Sequence, residues 1–185
     1  MKKIAVVEKF FEPQHQRQIE AVAAKHGYTV DYYMDGVLPE ERAGEYEIVY
    51  GMPARTDLKG MTQLKWFCAS FAGVDRYVDE ALYPHKGVLL TNSAGAYGVT
   101  IAEHIIMMTL MLLRQMLPTM KAVGEKVWLP PLPVRSICGA SITVLGTGDI
   151  GTSFARRAKA MGAKSICGVR RTIKPADPAF DRIVT

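Results

Sequence analysis

The chain has 185 residues, of which 49% are hydrophobic and 22% are charged, a composition ordinary for a soluble globular protein. Its formal net charge of +5 is small and is not concentrated in one run, so nucleic-acid binding has little support. The longest apolar run, residues 105–113, is far shorter than the roughly 20 residues that a membrane span requires.

Cysteine usage points to a reducing compartment. Cys68, Cys138 and Cys167 are odd in number and far apart, and they lack the spacing of metal ligands. We therefore expect buried free thiols and no metal site. Met1 and the two lysines after it run directly into a predicted strand rather than into the apolar core of a signal peptide. These features predict a cytoplasmic protein that binds neither membrane nor nucleic acid.

Strand-like and helix-like segments alternate over the first half of the chain. An amphipathic pattern predicts a helix over residues 13–26, which stops at Gly27. The segments predicted as strands are residues 4–7, 28–33, 47–50, 64–68 and 88–90. Strands separated by helix-like segments pair in parallel with right-handed crossovers, so the pattern predicts an α/β fold with a small parallel sheet.

A long apolar helix is predicted to join this region to a second α/β unit. The helix covers about residues 99–116 and is expected to end before Pro118. The proline-rich segment 130–133 then forms a stiff connector. The predicted domains are therefore residues 1–98 and residues 99–185.

The second unit continues with a strand–turn–helix–strand pattern. Residues 141–145 are predicted to form a short buried strand, and residues 152–161 have helical composition. The expected core face of this helix consists of Phe154, Ala155, Ala158 and Met161. Gly162 is expected to stop the helix, and residues 165–169 are predicted to form the next strand.

Residues 146–151, between the first of these strands and the helix, have the spacing Gly-x-Gly-x-x-Gly. The first glycine permits a tight turn, the second lets the backbone approach a pyrophosphate, and the third lets the helix pack close to the strand. The helix N-terminus also offers free N–H groups to phosphate oxygens. Because the surrounding elements fit, we predict a dinucleotide site rather than a merely structural turn. The predicted cofactor-binding residues here are Gly146, Thr147, Gly148, Asp149, Ile150 and Gly151, with the Asp149 side chain pointing outward.

The end of the following strand favours NADP over NAD. NAD-binding versions of this unit carry an Asp or Glu there for the ribose 2′-hydroxyl. This chain instead has Val169, Arg170 and Arg171, and a guanidinium pair suits a 2′-phosphate. A solvated turn is the alternative reading of the two arginines. The basic residues expected around the phosphate site are Arg156, Arg157, Lys159, Lys164, Arg170 and Arg171.

Ligands of parallel sheets bind at the carboxyl ends of the strands. In the first region three loops follow strand ends, at residues 51–55, 69–75 and 91–95. Small residues beside Gly73 in the second loop could leave backbone N–H groups free to hold a carboxylate. A simple turn at Gly73 explains the same residues equally well.

Three ordered motifs give the chain a resemblance to the D-isomer-specific 2-hydroxyacid dehydrogenase family. They are Phe-Ala-Gly-Val-Asp at 71–75, Thr-Asn-Ser at 91–93 leading into Ile-Ala-Glu-His at 101–104, and the glycine turn at 146–151. The resemblance implies a flavodoxin-like substrate domain followed by a Rossmann domain, with the catalytic cleft between them. It also implies hydride transfer between NAD(P)H and a small 2-keto or 2-hydroxy acid.

The resemblance also implies roles for particular residues. Ala72 and Gly73 match the loop whose amides hold the substrate carboxylate, and Thr100 matches the helix start that approaches the nicotinamide. The helix starting near Ile101 matches the one that contributes to a dimer interface, so a homodimer is expected. The methionines of this helix suit an adaptable interface, although ordinary core packing explains them equally well.

No catalytic residue is assigned in this chain. The family's catalytic arginine, glutamate and histidine lie in the later part of the cofactor domain and the segment after it, beyond the residues present here. His104 lies beside Glu103, but neighbouring helix residues diverge by about 100°, so Glu103 is poorly placed to orient the ring.

We expect the chain to be a fragment of a 2-hydroxyacid dehydrogenase that is inactive alone. Only the first strand–helix–strand part of a Rossmann domain is present, which should expose a sheet edge and an apolar face. Residues 179–185 contain no stop signal and look cut within an element. The alternative is a naturally short, non-catalytic remnant that binds a nucleotide or a small carboxylate.

Overall fold

The computed structural model describes residues 2–172, 174–175 and 177–185, and the chain divides into two compact units, Met1–Ala94 and Gly95–Thr185. Each unit contains one sheet whose described strands all pair in parallel. The α/β fold class with parallel sheets, predicted from the alternation of strand-like and helix-like segments, is confirmed.

The first unit is built on a five-stranded sheet with the order β2-β1-β3-β4-β5. Its strands are β1 (Lys2–Val7), β2 (Tyr28–Tyr33), β3 (Ile48–Gly51), β4 (Trp66–Ala69) and β5 (Leu89–Thr91). The chain adds β2 on one side of β1 and then crosses to place β3 on the other, with Ile4 in register with both Val30 and Ile48. This reversal is the kind of point at which open parallel sheets bind ligands.

Helices and short 3₁₀ segments complete the first unit. They are α1 (Pro13–Lys25), α2 (Arg55–Gly60) and the 3₁₀ segments Glu40–Glu45 and Glu80–Leu82. α1 begins at a proline, whose missing N–H costs nothing in a first helical turn. The largest fully buried side chains of the unit belong to Tyr46, Val49, Leu58, Met61, Leu64 and Phe67. Burying side chains of this size contributes roughly 1.5–3 kcal/mol each, so the unit has a substantial core of its own.

A polar network ties the 3₁₀ segment Glu40–Glu45 to β2. The Arg42 guanidinium donates to the Asp31 carboxylate at 2.6 Å and to Glu45 at 3.2 Å. The Tyr46 hydroxyl donates to Asp31 at 2.9 Å. Hydrogen bonds from Arg42 and then from Lys3 lower the pKa of Glu45 to about 2, since they stabilise its ionised form.

The second unit combines a three-stranded parallel sheet with three helices. Its elements are α3 (Gly98–Leu113), α4 (Met116–Gly124), β6 (Ser141–Leu145), α5 (Asp149–Ala160), β7 (Ser165–Val169) and β8 (Arg182–Val184), and the strand order is β6-β7-β8. α3 packs against α5. The core between the helices and the sheet is formed by buried residues including Ala102, Ile137, Phe154, Ala155, Ala158 and Ile166.

The helix predicted at about 99–116 forms but ends three residues early, at Leu113, because the chain breaks at Arg114 and Gln115. Gln115 has a φ of 56°, in the left-handed region, and a new helix begins at Met116. Pro118 therefore lies in the first turn of α4 rather than beyond a helix end. A proline is tolerated there because the first N–H groups of a helix have no intrahelical acceptor.

Two burial predictions for the second unit are also wrong. β6 was expected to be buried, but its residues alternate between exposed and half-buried, and the Leu145 side chain is 82% exposed. β6 lies at an edge of the described sheet and pairs only with β7, so much of it remains uncovered. Met161 was expected on the core face of α5, but it ends the helix as an exposed residue, while Phe154, Ala155 and Ala158 are buried.

The expectation of three buried cysteines is wrong for at least one of them. Cys138 is exposed, and Cys68 and Cys167 are half-buried; all three are free thiols. Cys138 lies in a turn before β6, and its sulfur lies close to Gly162, so the residue packs against one neighbour and faces solvent on the other side.

No single described helix is long and apolar enough to cross a membrane. α3 and α4 reach the required length and hydropathy only when taken together, and a bend of 71° separates them.

Candidate functional site

The glycine turn between β6 and α5 has a backbone that requires glycine at two positions. Gly146 has a φ of 95°, which side-chain-bearing residues rarely adopt. Gly151 lies against the Gly146 carbonyl oxygen, and a Cβ added at Gly151 would overlap that oxygen. The turn therefore holds the first residues of α5 against the end of β6, in the geometry that the spacing predicts for a dinucleotide-binding turn.

The middle of the turn offers free N–H groups and open space. Among the described residues, no acceptor pairs with the backbone N–H groups of Thr147 and Gly148. Gly148 is the N-cap of α5, no side chain caps the helix, and a Cβ added there would meet nothing within 4 Å. An uncapped helix N-terminus with room in front of it suits a phosphate group.

The sequence predicts that the Asp149 side chain points outward, but in the structure it also contacts another element. Asp149 is exposed, but its carboxylate lies against Gly98, the first residue of α3, where an added Cβ would overlap the carboxylate oxygens. The absent side chain of Gly98 leaves room for this contact, and the N-terminus of α3 is a favourable place for negative charge. The contact also places the first turn of α3 beside the glycine turn.

Thr100 lies in this first turn of α3. It is exposed, and its hydroxyl donates to the Tyr97 carbonyl oxygen at 3.3 Å. The contact between Gly98 and Asp149 brings the start of α3 to the glycine turn, so Thr100 belongs to the same region of the second unit as residues 146–151.

Arg170, in the second unit, has a guanidinium group with buried nitrogen atoms that lack a hydrogen-bond partner among the described residues. It follows β7, and one terminal nitrogen lies 3.4 Å from the hydroxyl of Thr147 in the glycine turn. Its Nε and Nη2 atoms are buried, and neither has a hydrogen-bond partner in the described structure. Buried donors without an acceptor are costly, which makes the Arg170 guanidinium a candidate to bind an anionic group. Arg171, the next residue, is exposed.

Three of the basic residues expected around the phosphate site are engaged elsewhere on α5. Arg156 pairs with Asp177, Arg157 with Glu103 at 3.5 Å, and Lys159 with Asp181 at 2.6 Å. These ion pairs lower the pKa values of Asp177 and Asp181, because the nearby cations stabilise the ionised carboxyls. These three charges are therefore partly neutralised by ion pairs, while the expected position of the residues around a bound phosphate stays a prediction.

In the first unit, Ala72 and Gly73 lie in the exposed loop that follows β4. No acceptor among the described residues pairs with their backbone N–H groups, and a Cβ added at Gly73 would meet nothing within 4 Å. The Asn92 side-chain amide donates to the Ala72 carbonyl oxygen at 2.6 Å, and the Ser93 hydroxyl donates to Ala69 at 3.2 Å. Residues that follow β5 therefore hold the loop in place, while the backbone N–H groups of Ala72 and Gly73 have no acceptor among the described residues.

The sequence did not predict a positioning role for three residues that contact this loop. They are Asn92 and Ser93, which brace it after β5, and Glu8 after β1, whose carboxylate accepts a hydrogen bond from the Ser70 hydroxyl at 2.6 Å. The rule that strand ends share one sheet edge could have placed Glu8 there, since it directly follows β1.

The histidines have structural surroundings. His15 contacts the Phe11 ring edge-on, His26 ends α1, and the His85 Nδ1 atom accepts from the Gly87 N–H. His104 is exposed on α3, and the neighbouring Glu103 pairs with Arg157 instead. Within the described residues no histidine is hydrogen-bonded to a carboxylate, so no acid–base pair is formed there.

The fold and the turn define a dinucleotide-binding α/β protein, and comparisons specify the family. Residues 106–184 match the family description "D-isomer specific 2-hydroxyacid dehydrogenase, NAD binding domain". A glycerate dehydrogenase from Methylorubrum extorquens is 26% identical over 164 residues, which cover 80% of this chain and 52% of that protein. An erythronate-4-phosphate dehydrogenase from Tolumonas auensis is 30% identical over 105 residues, or 57% of this chain and 23% of that protein.

The fold comparison agrees with the sequence comparison. A crystal structure of a D-isomer specific 2-hydroxyacid dehydrogenase family protein from Aeromonas salmonicida superimposes with a TM-score of 0.81 at 25% identity. The match covers 99% of this chain and 57% of that protein. The comparisons place residues 106–184 in the D-isomer-specific 2-hydroxyacid dehydrogenase family, as the motifs predict, and the chain spans about half the length of the glycerate dehydrogenase and of the Aeromonas protein.

Proposed function

We propose that this chain supplies the substrate-carboxylate loop and the cofactor-phosphate site of a 2-hydroxyacid dehydrogenase that prefers NADP(H) to NAD(H). The reaction is reversible hydride transfer to the C2 carbon of a small 2-keto acid. The nicotinamide cofactor, when bound, supplies the hydride. The residues of this chain bind and orient the reactants.

The observation that carries the NADP preference is the pair of buried, unpartnered nitrogen atoms of Arg170. A ribose 2′-phosphate would give them charged acceptors, whereas a 2′-hydroxyl would leave the guanidinium without an anion. Val169, where NAD-binding versions carry a carboxylate, has no acceptor side chain for a 2′-hydroxyl. Arg171 is exposed next to Arg170 and adds positive charge at the same strand end.

The cofactor pyrophosphate is proposed to bind the glycine turn. Thr147 and Gly148 would donate their free backbone N–H groups, and the uncapped N-terminus of α5 would add a favourable dipole. Asp149 and Ile150 occupy the first helical turn and would contribute backbone N–H groups rather than side chains. Thr100, near the turn, is proposed to approach the nicotinamide end.

The substrate carboxylate is proposed to bind the free amides of Ala72 and Gly73. Two neighbouring free backbone donors suit a carboxylate and would fix the orientation of the keto acid. The two relatives named after their substrates act on glycerate and on erythronate 4-phosphate, both 2-hydroxy acids, so a small acid of this class is the proposed substrate.

We further propose that the 185-residue chain alone binds these ligands without turning them over. The described residues contain no histidine–carboxylate pair that could exchange the substrate proton. A protein that only binds nucleotide or carboxylate is the second candidate, and the same observation favours it. The cytoplasmic location expected from the sequence stays a prediction.

A homodimer is proposed through the apolar surface of α3 and α4. Its exposed apolar side chains belong to Met107, Met108, Leu112, Leu117, Met120 and Val123. Trp128, just beyond α4, is 96% exposed. A concentration of exposed apolar side chains on two neighbouring helices typically marks an interface.

Two measurements on the purified chain test the proposed function. Fluorescence titration should show NADPH binding more tightly than NADH; tighter binding of NADH would overturn the NADP preference. Steady-state assays with NADPH and glyoxylate, hydroxypyruvate or pyruvate should show no turnover above the rate without protein. Measurable turnover would mean that an acid–base group of this chain has been missed.

A further inference from the structure

Glu8 lies at the carboxyl edge of the first sheet, at the point where the strand order reverses. It directly follows β1, which lies between β2 and β3, and its carboxylate accepts the Ser70 hydroxyl at the end of β4. The two residues are 62 positions apart in sequence, so the fold alone brings them together. Ser70 opens the loop that carries Ala72 and Gly73.

The Glu8 carboxylate accepts hydrogen bonds from uncharged donors. Its two oxygens accept from the Ser70 hydroxyl at 2.6 Å and from the Lys9 backbone N–H at 2.9 Å. In the described part of the chain no lysine, arginine or histidine forms a salt bridge with Glu8. The Lys9 side chain lies against Gly36, and the arginines nearest this edge, Arg55 and Arg76, are exposed.

This charge is close enough to affect a ligand on the loop. Two residues of extended chain span at most about 7 Å, so the Ala72 amide lies within roughly 10 Å of the Ser70 hydroxyl and the carboxylate it contacts. That separation is about one Debye length at physiological ionic strength, and Glu8 and Ser70 are half-buried, so the charge of Glu8 is screened less than a fully exposed one. A ligand held by Ala72 and Gly73 would therefore sense the charge of Glu8.

We propose that Glu8 is a specificity-determining residue that selects 2-keto acids whose tail carries a hydrogen-bond donor and no negative charge. A carboxylate only accepts hydrogen bonds, so it favours a hydroxyl or ammonium group and repels a second carboxylate or a phosphate. The proposal rests on the proposed function, because it requires the substrate carboxylate to bind at Ala72 and Gly73.

The test compares three acids that differ only in the tail attached to C3. Hydroxypyruvate carries a hydroxyl, 2-ketobutyrate a methyl and oxaloacetate a carboxylate. Affinities for the 185-residue chain are measured by NMR titration, with the amide signals of Ala72 and Gly73 as the readout of the binding place. We expect hydroxypyruvate to bind most tightly and oxaloacetate at least tenfold more weakly.

Glu8→Gln removes the charge and keeps the shape of the side chain. We expect this variant to bind oxaloacetate about tenfold more tightly than the original chain, with less than threefold change for 2-ketobutyrate. Glu41→Gln, which removes an exposed carboxylate from the 3₁₀ segment, is the matched control and should leave all three affinities unchanged. Unfolding temperatures of both variants show that they remain folded.

A salt titration gives a second readout without any substitution. Raising ionic strength should narrow the gap between oxaloacetate and hydroxypyruvate for the original chain, because salt screens the repulsion from Glu8. An unchanged gap with salt, or an oxaloacetate affinity that Glu8→Gln leaves unaltered, would overturn this inference while binding at Ala72 and Gly73 stands. If none of the acids moves the signals of Ala72 and Gly73, both the inference and the proposed substrate site are wrong.

Discussion

Gly151 lies directly against the carbonyl oxygen of Gly146, with no space for a side chain between them. Gly151→Ala should therefore push α5 away from β6, with a loss of about 1–3 kcal/mol typical of overpacking. Urea unfolding should show the lower stability, and NADPH binding should be lost together with it.

Gly148→Ala is the matched variant for the same turn. A Cβ at this position meets nothing within 4 Å, and the φ of Gly148 is −78°, which alanine adopts easily. We expect unchanged stability but at least tenfold weaker NADPH binding, because the methyl group occupies the space proposed for the pyrophosphate. If the Gly148→Ala variant binds NADPH as tightly as the original chain, the pyrophosphate does not bind at this turn.

Arg170→Ala should separate the two cofactors. Hydrogen bonds to charged groups contribute about 1.5–3 kcal/mol, so NADPH binding should weaken roughly 10- to 100-fold and NADH binding by less than threefold. Arg171→Ala is the neighbouring control and should have a smaller effect, because its side chain is exposed. Equal losses for both cofactors after Arg170→Ala would mean that the arginine serves the turn, through Thr147, rather than a 2′-phosphate.

Asn92→Ala should loosen the loop that is proposed to hold the substrate carboxylate. It removes the 2.6 Å hydrogen bond to the Ala72 carbonyl oxygen, a contact worth about 1 kcal/mol. Glyoxylate binding, measured by titration calorimetry, should weaken about fivefold. NADPH affinity serves as the internal control, since the glycine turn belongs to the other unit. An unaltered glyoxylate affinity would show that the bond does not position the amides.

Acid should destabilise the first unit through Glu45. Its pKa is lowered to about 2 in the folded chain from an ordinary value of 4.5, so its ionised form is favoured by folding. The contribution is complete above pH 4.5 and is lost as the pH falls from 4.5 towards 2. Unfolding of the original chain and of Glu45→Gln, compared at pH 7, 4 and 2.5, should show the difference between them shrinking with acid. If the stability difference between the original chain and Glu45→Gln stays constant over this pH range, the lowered pKa of Glu45 is wrong.

The apolar surface of α3 and α4 should hold two copies together. Leu112→Glu and Val123→Glu place charges on it and should convert a dimer to a monomer in analytical ultracentrifugation. Val78→Glu, at an equally exposed apolar position of the first unit, should leave the assembly unchanged. A monomeric original chain would reject the proposed homodimer directly.

Much of the fold followed from local patterns. The strands of the first unit form within two residues of their predicted positions, because alternating and continuous apolar runs report strand burial locally. The exact position of the helix break could not be predicted this way: Pro118 indicated an end at Met116, whereas the break falls at Arg114 and Gln115 and a second helix follows it. The exposure of Leu145 likewise depends on which strands flank β6, and local sequence does not report that.

The strand–turn–helix unit and its glycines could be predicted from local sequence, because the spacing of residues 146–151 sets backbone geometry over a few bonds. Which charges are available to a ligand depends on how remote segments pack. The tertiary structure pairs Arg156 with Asp177 while leaving two nitrogen atoms of Arg170 buried without a partner among the described residues, and it brings Glu8 beside Ser70. Charge pairing depends on distances across elements remote in sequence, and those distances exist only once the sheets have assembled.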